Sequence, residues 1–234
     1  MMGNTLLRAE GVEKTFRSGA IEVQALRGID LDLSQGEFAA LKGPSGSGKS
    51  TLLHLFGGLD LPSKGTITLG GTPVTSMSGR ELSDFRRDHI GFVFQAYNLI
   101  PVLTVTENIE YVMMLQGVPR EERRERVAAI LAEVGLAGLE RRFPPQLSGG
   151  QQQRVAVARA IVARPDLILA DEPTANLDSL NAAALLELMA ALNRDHKVTF
   201  LFSTHDEAVF AMAKRLITLK DGRIEADQRR EGAA

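Results

Sequence analysis

The segment that decides the fold is Gly43-Pro44-Ser45-Gly46-Ser47-Gly48-Lys49-Ser50. It lies between residues 37–42, which have the pattern of a strand, and residues 51–56, an apolar stretch compatible with a helix. Glycines allow successive backbone N–H groups to curl around a phosphate at a helix N-terminus. In this pattern Lys49 reaches the β and γ phosphates of a nucleotide, and Ser50 binds Mg²⁺. The order of strand, glycine loop and helix therefore predicts a nucleotide-phosphate site; the alternative is a flexible glycine turn.

Composition and charge exclude several classes of protein. The chain has 234 residues, with 27 Lys and Arg against 29 Asp and Glu, so its net charge of −2 gives no reason to expect nucleic acid as a partner. Cysteine is absent, which excludes disulfides and thiolate metal sites and fits a reducing compartment. The N-terminus lacks the apolar stretch of a secretory signal, and no run approaches the roughly 18 apolar residues of a membrane span. We therefore expect a cytoplasmic chain that is not itself a channel.

The hydrophobic pattern predicts two kinds of sheet. Residues 6–33 form short β-like segments with alternating apolar positions, broken by a turn at Ser18-Gly19, which indicates an antiparallel sheet. Later in the chain, the short apolar runs 167–170 and 199–203 are separated by a helical pattern. Strands that alternate with helices in this way are typical of βαβ units and a parallel sheet.

Helical patterns interrupt this α/β core in the middle of the chain. Residues 106–116 and an amphipathic pattern that begins near Pro119 form a helical block. We predict one domain, residues 1–234, with a core of about 1–95 and 165–226 and an inserted α-helical subdomain of about 96–164. The fold class is α/β, with an antiparallel β subdomain at the N-terminus. The polar tail, residues 227–234, is expected to fray.

Two carboxylates follow the apolar strand 167–170. Strand alternation would direct Asp171 and Glu172 to different sides, which suits two tasks. Asp171 can hold the shell of a Mg²⁺ ion, usually through water, while Glu172 polarises the water that attacks the γ phosphate. Taken alone, such a pair is more often a helix cap or part of a solvated loop; together with the glycine loop it becomes a candidate hydrolytic site.

A third motif narrows the class of nucleotide hydrolase. The segment Leu147-Ser148-Gly149-Gly150-Gln151 resembles the signature of ABC ATPases, and QQRVAVARAI, residues 152–161, is similar to the helix that follows it in that family. The alternative interpretation is that Ser148 is an N-cap followed by a glycine hinge. The resemblance implies the P-loop NTPase fold with a RecA-like parallel-sheet core and ATP hydrolysis as the activity.

The family's other motifs follow in the same order along this chain. The resemblance implies adenine stacking on Phe16, where the family usually has tyrosine, a Q-loop at Gln95, a D-loop at Asn176-Leu177-Asp178 and a switch histidine at His205. Each alone has a simpler interpretation: a core phenylalanine, a solvated glutamine, a structural histidine. The implied catalytic residues are Lys49, Gln95, Glu172 and His205; the implied Mg²⁺ ligands are Ser50, Gln95 and Asp171; the implied nucleotide contacts are Phe16, Gly43 to Thr51, Ser148, Gly149, Gly150, Gln151 and Asp178.

Two longer segments indicate a subgroup. FRRDHIGFVFQAYNLIPVLTVTENIE, residues 85–110, is similar to the ATPases of the lipoprotein-release and macrolide-export group, which also includes the cell-division ABC ATPase. DEPTANLDS, residues 171–179, resembles that group's DEPTGNLDS, with Ala175 in place of glycine. The resemblance implies an exporter or lipoprotein-release system, and two alternatives stay open: a regulator of a cell-envelope or division machine without transport, and an ABC ATPase acting on DNA or the ribosome.

The resemblance also implies partners. It predicts a homodimer in the ATP-bound state, in which each ATP lies between the P-loop of one copy and the LSGGQ of the other. It further implies integral membrane permease subunits, which dock on the helical insert and the segment after Gln95. The chain is then peripheral on the inner face of the cell membrane.

Overall fold

The computed structural model describes residues 5–19 and 21–230. Its strands, in chain order, are β1 Thr5–Ser18, β2 Ile21–Ser34, β3 Phe38–Lys42, β4 Lys64–Leu69, β5 Thr72–Pro73, β6 Ile90–Phe94, β7 Leu167–Asp171, β8 Thr199–Ser203, β9 Arg215–Lys220 and β10 Arg223–Arg229. Its α-helices are α1 Lys49–Phe56, α2 Gly79–His89, α3 Val105–Leu115, α4 Arg120–Glu133, α5 Gly149–Val162, α6 Ser179–His196 and α7 Glu207–Met212. None of the helices in these ranges has the length and apolar character needed to cross a membrane.

The strands form the two predicted sheets. A four-stranded antiparallel sheet has the order β2-β1-β4-β5, and a six-stranded sheet has the order β10-β9-β3-β8-β7-β6. In the larger sheet β9, β3, β8, β7 and β6 run parallel, and β10 pairs antiparallel with β9. The fold class predicted from the sequence is confirmed.

Register in the parallel sheet brings the chemically important chain segments together. Asp171, the last residue of β7, pairs with Phe94 of β6 on one side and with Ser203 of β8 on the other, while Leu41 of β3 pairs with Ser203. The carboxyl ends of these strands therefore meet at one edge. The loops that leave this edge begin the glycine segment, the stretch after Gln95, and the segments with Glu172 and His205, in keeping with the rule that open α/β sheets bind ligands outside their carboxyl ends.

Helix α5 connects the parallel sheet to the helices inserted before it. Most of the alanine and valine side chains of α5 are buried. The helix packs against β6 as well as against α3 and α4. Helix α3 begins with a capping box, in which Thr104 and Glu107 bind each other's backbone N–H groups.

The boundaries of the core and the helical subdomain stay predictions. Met113 of α3 is fully buried, whereas the neighbouring Met114 is exposed.

The C-terminal segment corrects one expectation. Strand β10 continues to Arg229, so the prediction of a frayed tail is wrong for its first residues; residues 231–234 lie outside the described part of the chain. The reason is an ion pair: buried Arg215 donates from Nε and Nη2 to Asp227 at 2.8 and 2.7 Å. Burial alone lowers the pKa of Arg215, but the hydrogen bond to Asp227 and the charge of Glu37 raise it above its ordinary value. Arg215 thus connects Asp227 of the last strand to Glu37, which directly precedes β3.

Candidate functional site

The glycine segment forms a loop that ends in a helix N-terminus open to an anion. Helix α1 begins at Lys49, and its N-cap, Gly48, has no side chain to bond the first N–H groups. Gly48 has a φ of 105°, and a Cβ there would lie 2.8 Å from the carbonyl oxygen of Ala25, so only glycine fits. The free N–H groups and the positive end of the helix dipole together favour a phosphate.

The side chain of Lys49 lies inside this loop and binds its backbone. Its Nζ donates to the carbonyl oxygens of Gly43 and Pro44 at 2.8 and 3.0 Å, and its side chain is buried. The hydroxyl of Ser47 is also buried and has no hydrogen-bond partner among the described residues. A buried polar atom without a partner costs free energy unless a ligand or water satisfies it. The loop therefore has the donors that bound phosphate oxygens require.

A hydroxyl and a carboxylate meet beside the loop. Ser50 Oγ donates to Asp171 Oδ1 at 3.1 Å, which joins the first turn of α1 to the end of β7. Within residues 5–19 and 21–230, no group of three or more His, Asp or Glu side chains could hold a metal ion. The hydroxyl of Ser50 and the carboxylate of Asp171 are oxygen donors of the kind that fit Mg²⁺, which is usually bound through one or two protein oxygens together with phosphate oxygens and waters.

The backbone conformation changes between Asp171 and Glu172. Strand β7 ends at Asp171, and Glu172 adopts a left-handed conformation with a φ of 47°. Its carboxylate accepts a hydrogen bond from Thr204 Oγ1 at 3.1 Å and lies 2.9 Å from His205 Nδ1. The two carboxylates therefore face different partners because the strand ends between them. Such strain in a residue other than glycine is concentrated at functional sites.

Gln95 is joined to the loop after Glu172. Its Nε2 donates to Asn176 Oδ1 at 3.3 Å, and Asn176 Nδ2 donates back to the Gln95 carbonyl oxygen at 2.9 Å. The Q-loop and D-loop implied by the resemblance are thus tied together within one chain. Just before the D-loop, Thr174 Oγ1 donates to Asp206 Oδ2 at 2.8 Å, which connects the segment after Glu172 to the residue after His205.

Many of these residues line one cavity of about 670 Å³, while Asp171, which is bonded to Ser50, and Ser47 are not part of its wall. Most of the predicted loop residues line it, together with Gln95, Glu172 and His205. Sequence reasoning did not assign Ala25 and Ala175 to a site, yet both contribute small side chains to the wall. The predicted residues that line the cavity are Gly43, Pro44, Ser45, Gly46, Gly48, Lys49, Ser50, Thr51, Gln95, Glu172 and His205.

The remaining predicted contacts lie elsewhere. Phe16 does not line the cavity; it is 45% exposed, with Lys14 Nζ 5.1 Å from its ring centroid, so it is not a core residue. Ser148 caps α5 in a capping box with Gln151, as its alternative interpretation predicts. Asp178 caps α6, and hydrogen bonds from the backbone and side-chain amides of Asn181 lower its pKa. Gly149 and Gly150, the first residues of α5, are likewise outside the cavity.

Comparison with known proteins decides the family. Residues 26–175 match the family model described as "ABC transporter". This chain belongs to the ABC transporter family. The resemblance seen in the motifs is confirmed, and so, at the level of the family, is the predicted class of a transport-coupled ATP-hydrolysing cassette.

Individual relatives agree with the predicted subgroup. The cassette is 46% identical over 229 residues to the lipoprotein-releasing system ATP-binding protein LolD 1 of Caulobacter vibrioides, covering 97% of each chain. It is 44% identical over 227 residues to the macrolide export ATP-binding/permease protein MacB of Rhodopseudomonas palustris, covering 97% of this chain but 35% of that protein. The chain thus spans about a third of the length of this macrolide export protein. A dimeric structure of the cassette MJ0796 in a post-hydrolysis state bound to ADP and Pi superposes with a TM-score of 0.89 at 40% identity, covering 97% of this chain and all of the other.

The cassette has a second concave surface, which we name the α3 groove. It has a volume of about 460 Å³ and lies between the parallel sheet and α3. Its walls are mainly apolar and aromatic, and Tyr111 and Leu115 of α3 remain 38% and 51% exposed beside it. Besides these two, the residues that line the groove include Phe92, Phe94, Ile100 and Val112. An exposed apolar surface of this kind is a candidate interaction site.

Sequence reasoning missed the residues that hold the segment after Gln95. Tyr97 and Asn98 both have positive φ values, 57° and 50°. Arg159 of α5 donates to the carbonyl oxygens of Tyr97 and Asn98, and burial lowers the pKa of its guanidinium. Arg159 stands in the family-like run 152–161, but that run carries no sign of which residue reaches out of the helix. The contact depends on two segments that are distant in sequence.

Proposed function

We propose that this cassette is the ATP-binding and ATP-hydrolysing subunit of an exporter or lipoprotein-release type ABC system, in which two copies bind ATP and Mg²⁺ between them and drive integral membrane permease subunits. The observation that carries the proposal is the convergence of an open helix N-terminus, a Ser50–Asp171 pair and a Glu172–His205 pair on one cavity. A phosphate cradle, a metal pair and a base are the parts that hydrolysis of a phosphoanhydride needs.

Phosphate binding is assigned to the loop and its lysine. The backbone N–H groups at the start of α1 hold the β and γ phosphates, and Lys49 exchanges its carbonyl acceptors for phosphate oxygens. Ser50, Asp171 and Gln95 are the residues that we assign to Mg²⁺. When bound, the ion neutralises developing charge on the β and γ phosphates. Phe16 offers an exposed ring for the adenine.

We assign the proton chemistry to Glu172. Its carboxylate accepts a hydrogen bond from Thr204 and lies beside His205, so one face of the group is held in place while the side chain still lines the cavity. From this position Glu172 orients the attacking water and accepts its proton. His205, whose side chain is 77% exposed, orients the carboxylate and can reach a γ phosphate.

A second copy completes the site. Ser148 is exposed, the first turn of α5 that follows it is half-buried, and neither lines its own chain's cavity. The positive end of the α5 dipole lies at this exposed residue. In a head-to-tail pair, Ser148 and Asp178 of one copy approach the nucleotide held by the other. ATP then stabilises the pair through hydrogen bonds that ADP cannot make, and hydrolysis releases it. The dimeric structures of the similar cassette MJ0796, one with ADP and Pi, support the pairing of two copies.

The permease partner is assigned to the α3 groove. Its aromatic and aliphatic walls suit the apolar face of a helical segment from a membrane protein. The names of the relatives, a lipoprotein-releasing and a macrolide export protein, favour an exporting or releasing system. We therefore place the cassette at the inner face of the cell membrane, held there by permease subunits. We also propose the division into a core of about 1–95 and 165–226 and a helical subdomain of about 96–164.

Complementation between inactive chains tests the shared site. Separately, Lys49→Ala and Ser148→Arg chains each lack one half of every site and are expected to be inactive. Mixed, they form pairs that contain one intact site, with Lys49 from one chain and Ser148 from the other, and phosphate release returns in part. Nucleotide binding by the Ser148→Arg chain controls for folding. If the mixture is as inactive as its components while both chains still dimerise, the shared site is wrong.

A further inference from the structure

The hydroxyl of Ser203 is buried without a hydrogen bond. Ser203 is the last residue of β8 and is fully buried, and its Oγ has no hydrogen-bond partner among the residues that the structure describes. An unpaired hydroxyl in a packed interior costs free energy, because it loses its bonds to water and gains none from the protein. Such an atom requires an explanation, and one explanation is a ligand-bound state in which the hydroxyl is used.

The side chain of Ser203 lies on the face of the sheet that packs against α1. Side chains alternate between the two faces along a strand. Phe202 belongs to one core cluster, whereas Leu201 belongs to the cluster that contains the apolar side chains of α1, so Ser203 shares the face of Leu201. Asp171 lies on the same face, since its carboxylate accepts a hydrogen bond from Ser50 in the first turn of α1.

Ser203 is also the polar strand neighbour of Asp171. In the parallel sheet Asp171 pairs with Ser203 on one side and with Phe94 on the other, so only Ser203 brings a side-chain donor. The backbones are held in register, because the N–H group of Glu172 donates to the Ser203 carbonyl oxygen at 2.8 Å. Adjacent strands lie about 4.8 Å apart, so the hydroxyl can reach the carboxylate directly or through one water.

We infer that Ser203 is a positioning residue that holds the Asp171 carboxylate when Mg²⁺ is bound. The inference rests on the proposed function, in which Ser50 and Asp171 serve the metal. Only Oδ1 of Asp171 is bonded within residues 5–19 and 21–230, and a carboxylate held through one oxygen can still rotate. In the loaded site one oxygen of Asp171 faces the shell of the ion, and the other accepts from the Ser203 hydroxyl. Hydrogen bonds of this kind orient metal-binding carboxylates.

The competing explanation is a structural hydroxyl that a buried water satisfies in every state of the protein. The two explanations predict opposite effects when the hydroxyl is removed. A hydroxyl that is satisfied in the free protein stabilises it, so its loss lowers the Tm and leaves metal binding unchanged. A hydroxyl that is used only in the loaded site destabilises the free protein, so its loss raises the Tm and weakens metal binding.

Ser203→Ala separates the two explanations, with a matched control on the same strand. Thr199 of β8 is also fully buried, but its Oγ1 accepts a hydrogen bond from the Gly36 N–H group at 2.9 Å. Without nucleotide or metal, thermal unfolding should give a Tm about 2 °C higher for Ser203→Ala and about 2 °C lower for Thr199→Val. An unchanged or lower Tm in Ser203→Ala overturns the inference.

Metal binding gives the second readout. Mn²⁺ takes oxygen ligands as Mg²⁺ does, and its binding to ATP-saturated protein is followed by the EPR signal of free Mn²⁺, in a Glu172→Gln background that retains ATP. Ser203→Ala should weaken Mn²⁺ binding by about tenfold, the usual effect of removing a partner of a metal ligand, and Thr199→Val by less than about twofold. An unchanged Mn²⁺ affinity in Ser203→Ala, or equal losses in both variants, overturns the inference.

Failure of the metal assignment gives a different result from failure of the inference. Asp171→Asn should weaken Mn²⁺ binding by itself, and adding Ser203→Ala should then cost less than about twofold more, because Ser203 acts through Asp171. If Asp171→Asn leaves the Mn²⁺ affinity unchanged, the proposed metal site is wrong, and the inference falls with it. If Asp171→Asn weakens binding and Ser203→Ala does not, or if the two losses are additive, only the inference is wrong.

Discussion

The nucleotide cavity and the signature helix are held in place by different means. In the cavity, Asp171 ends a strand of the parallel sheet, and Gln95 and Glu172 directly follow strands β6 and β7, whose pairing fixes their register. At the signature, Ser148 begins α5, and the contacts beside it come from a loop residue, Tyr97, and from Asn181 of α6. Backbone pairing fixes the positions of the cavity residues, whereas side-chain contacts fix the position of the signature.

This difference separates a rigid region from an adjustable one. Backbone pairing in a buried sheet allows no small displacement, because a shift breaks several hydrogen bonds at once. A helix end that lies beside the side chains of a tyrosine and an asparagine can move by small amounts as those side chains move. Changes in the cavity should therefore alter the chemistry of each site, and changes around α5 should alter how the sites are joined to each other and to a partner.

The largest effect is expected at Glu172. Glu172→Gln keeps the shape and the hydrogen bond from Thr204 but removes the base, so turnover should fall by about 10²-fold or more while ATP binding is retained. Phosphate release and binding of a fluorescent ATP analogue measure the two quantities. Glu207→Gln, an exposed carboxylate at the start of α7, is the control. Hydrolysis by Glu172→Gln at the parental rate would remove Glu172 as the base.

A smaller effect is expected at Asp171. Asp171→Asn removes the negative charge next to Ser50, so the Mg²⁺ concentration at half-maximal activity should rise by about tenfold or more. A Mg²⁺ titration of ATP hydrolysis measures it. Asp166→Asn, just before the same strand and paired with His89, should leave the titration unchanged. An unchanged Mg²⁺ requirement in Asp171→Asn would contradict the metal assignment.

A substitution in the α3 groove should weaken binding of the permease subunits. Tyr111→Glu places a charge on the groove wall and should weaken the complex with permease subunits by about tenfold without changing ATP binding. Met114→Glu is the matched control, since Met114 is similarly exposed on the same helix but does not line the groove. Co-purification from detergent extracts gives the readout. Equal losses in both variants would show that the groove is not the docking surface.

The smallest effect is expected at Phe16. Phe16→Ala should raise the KM for ATP by about three- to tenfold with little change in kcat, because stacking contributes to binding of the base rather than to the chemistry. Phe16→Tyr, the residue usual in the family, should keep the parental KM. A parental KM in Phe16→Ala would assign adenine binding to another surface.

Local motifs predicted much of the cavity, because each carries its own conformation. The glycine loop, the strand that ends at Asp171 and the amphipathic helix after Pro119 follow from spacing and periodicity within a few residues. The bounds of β8 agree with the prediction, and the segments predicted for β3, β7, α1 and α3 differ from the observed elements by one or two residues at their ends. The prediction of a frayed tail was wrong for residues 227–229, because the sequence does not show that Asp227 meets Arg215, a residue on the neighbouring strand.

By itself, the sequence determined the α/β class, the order of strand, glycine loop and helix, and the family, since these depend on short motifs and on hydrophobic periodicity. Tertiary structure alone decided which residues meet: Gln95 with Asn176, Arg159 with the backbone of Tyr97, and Gly149 with the Tyr97 ring. It also decided that Ser148 lies outside its own chain's cavity. The physical reason is that such contacts join segments far apart in the chain, and their geometry depends on the packing of whole elements, which no local pattern encodes.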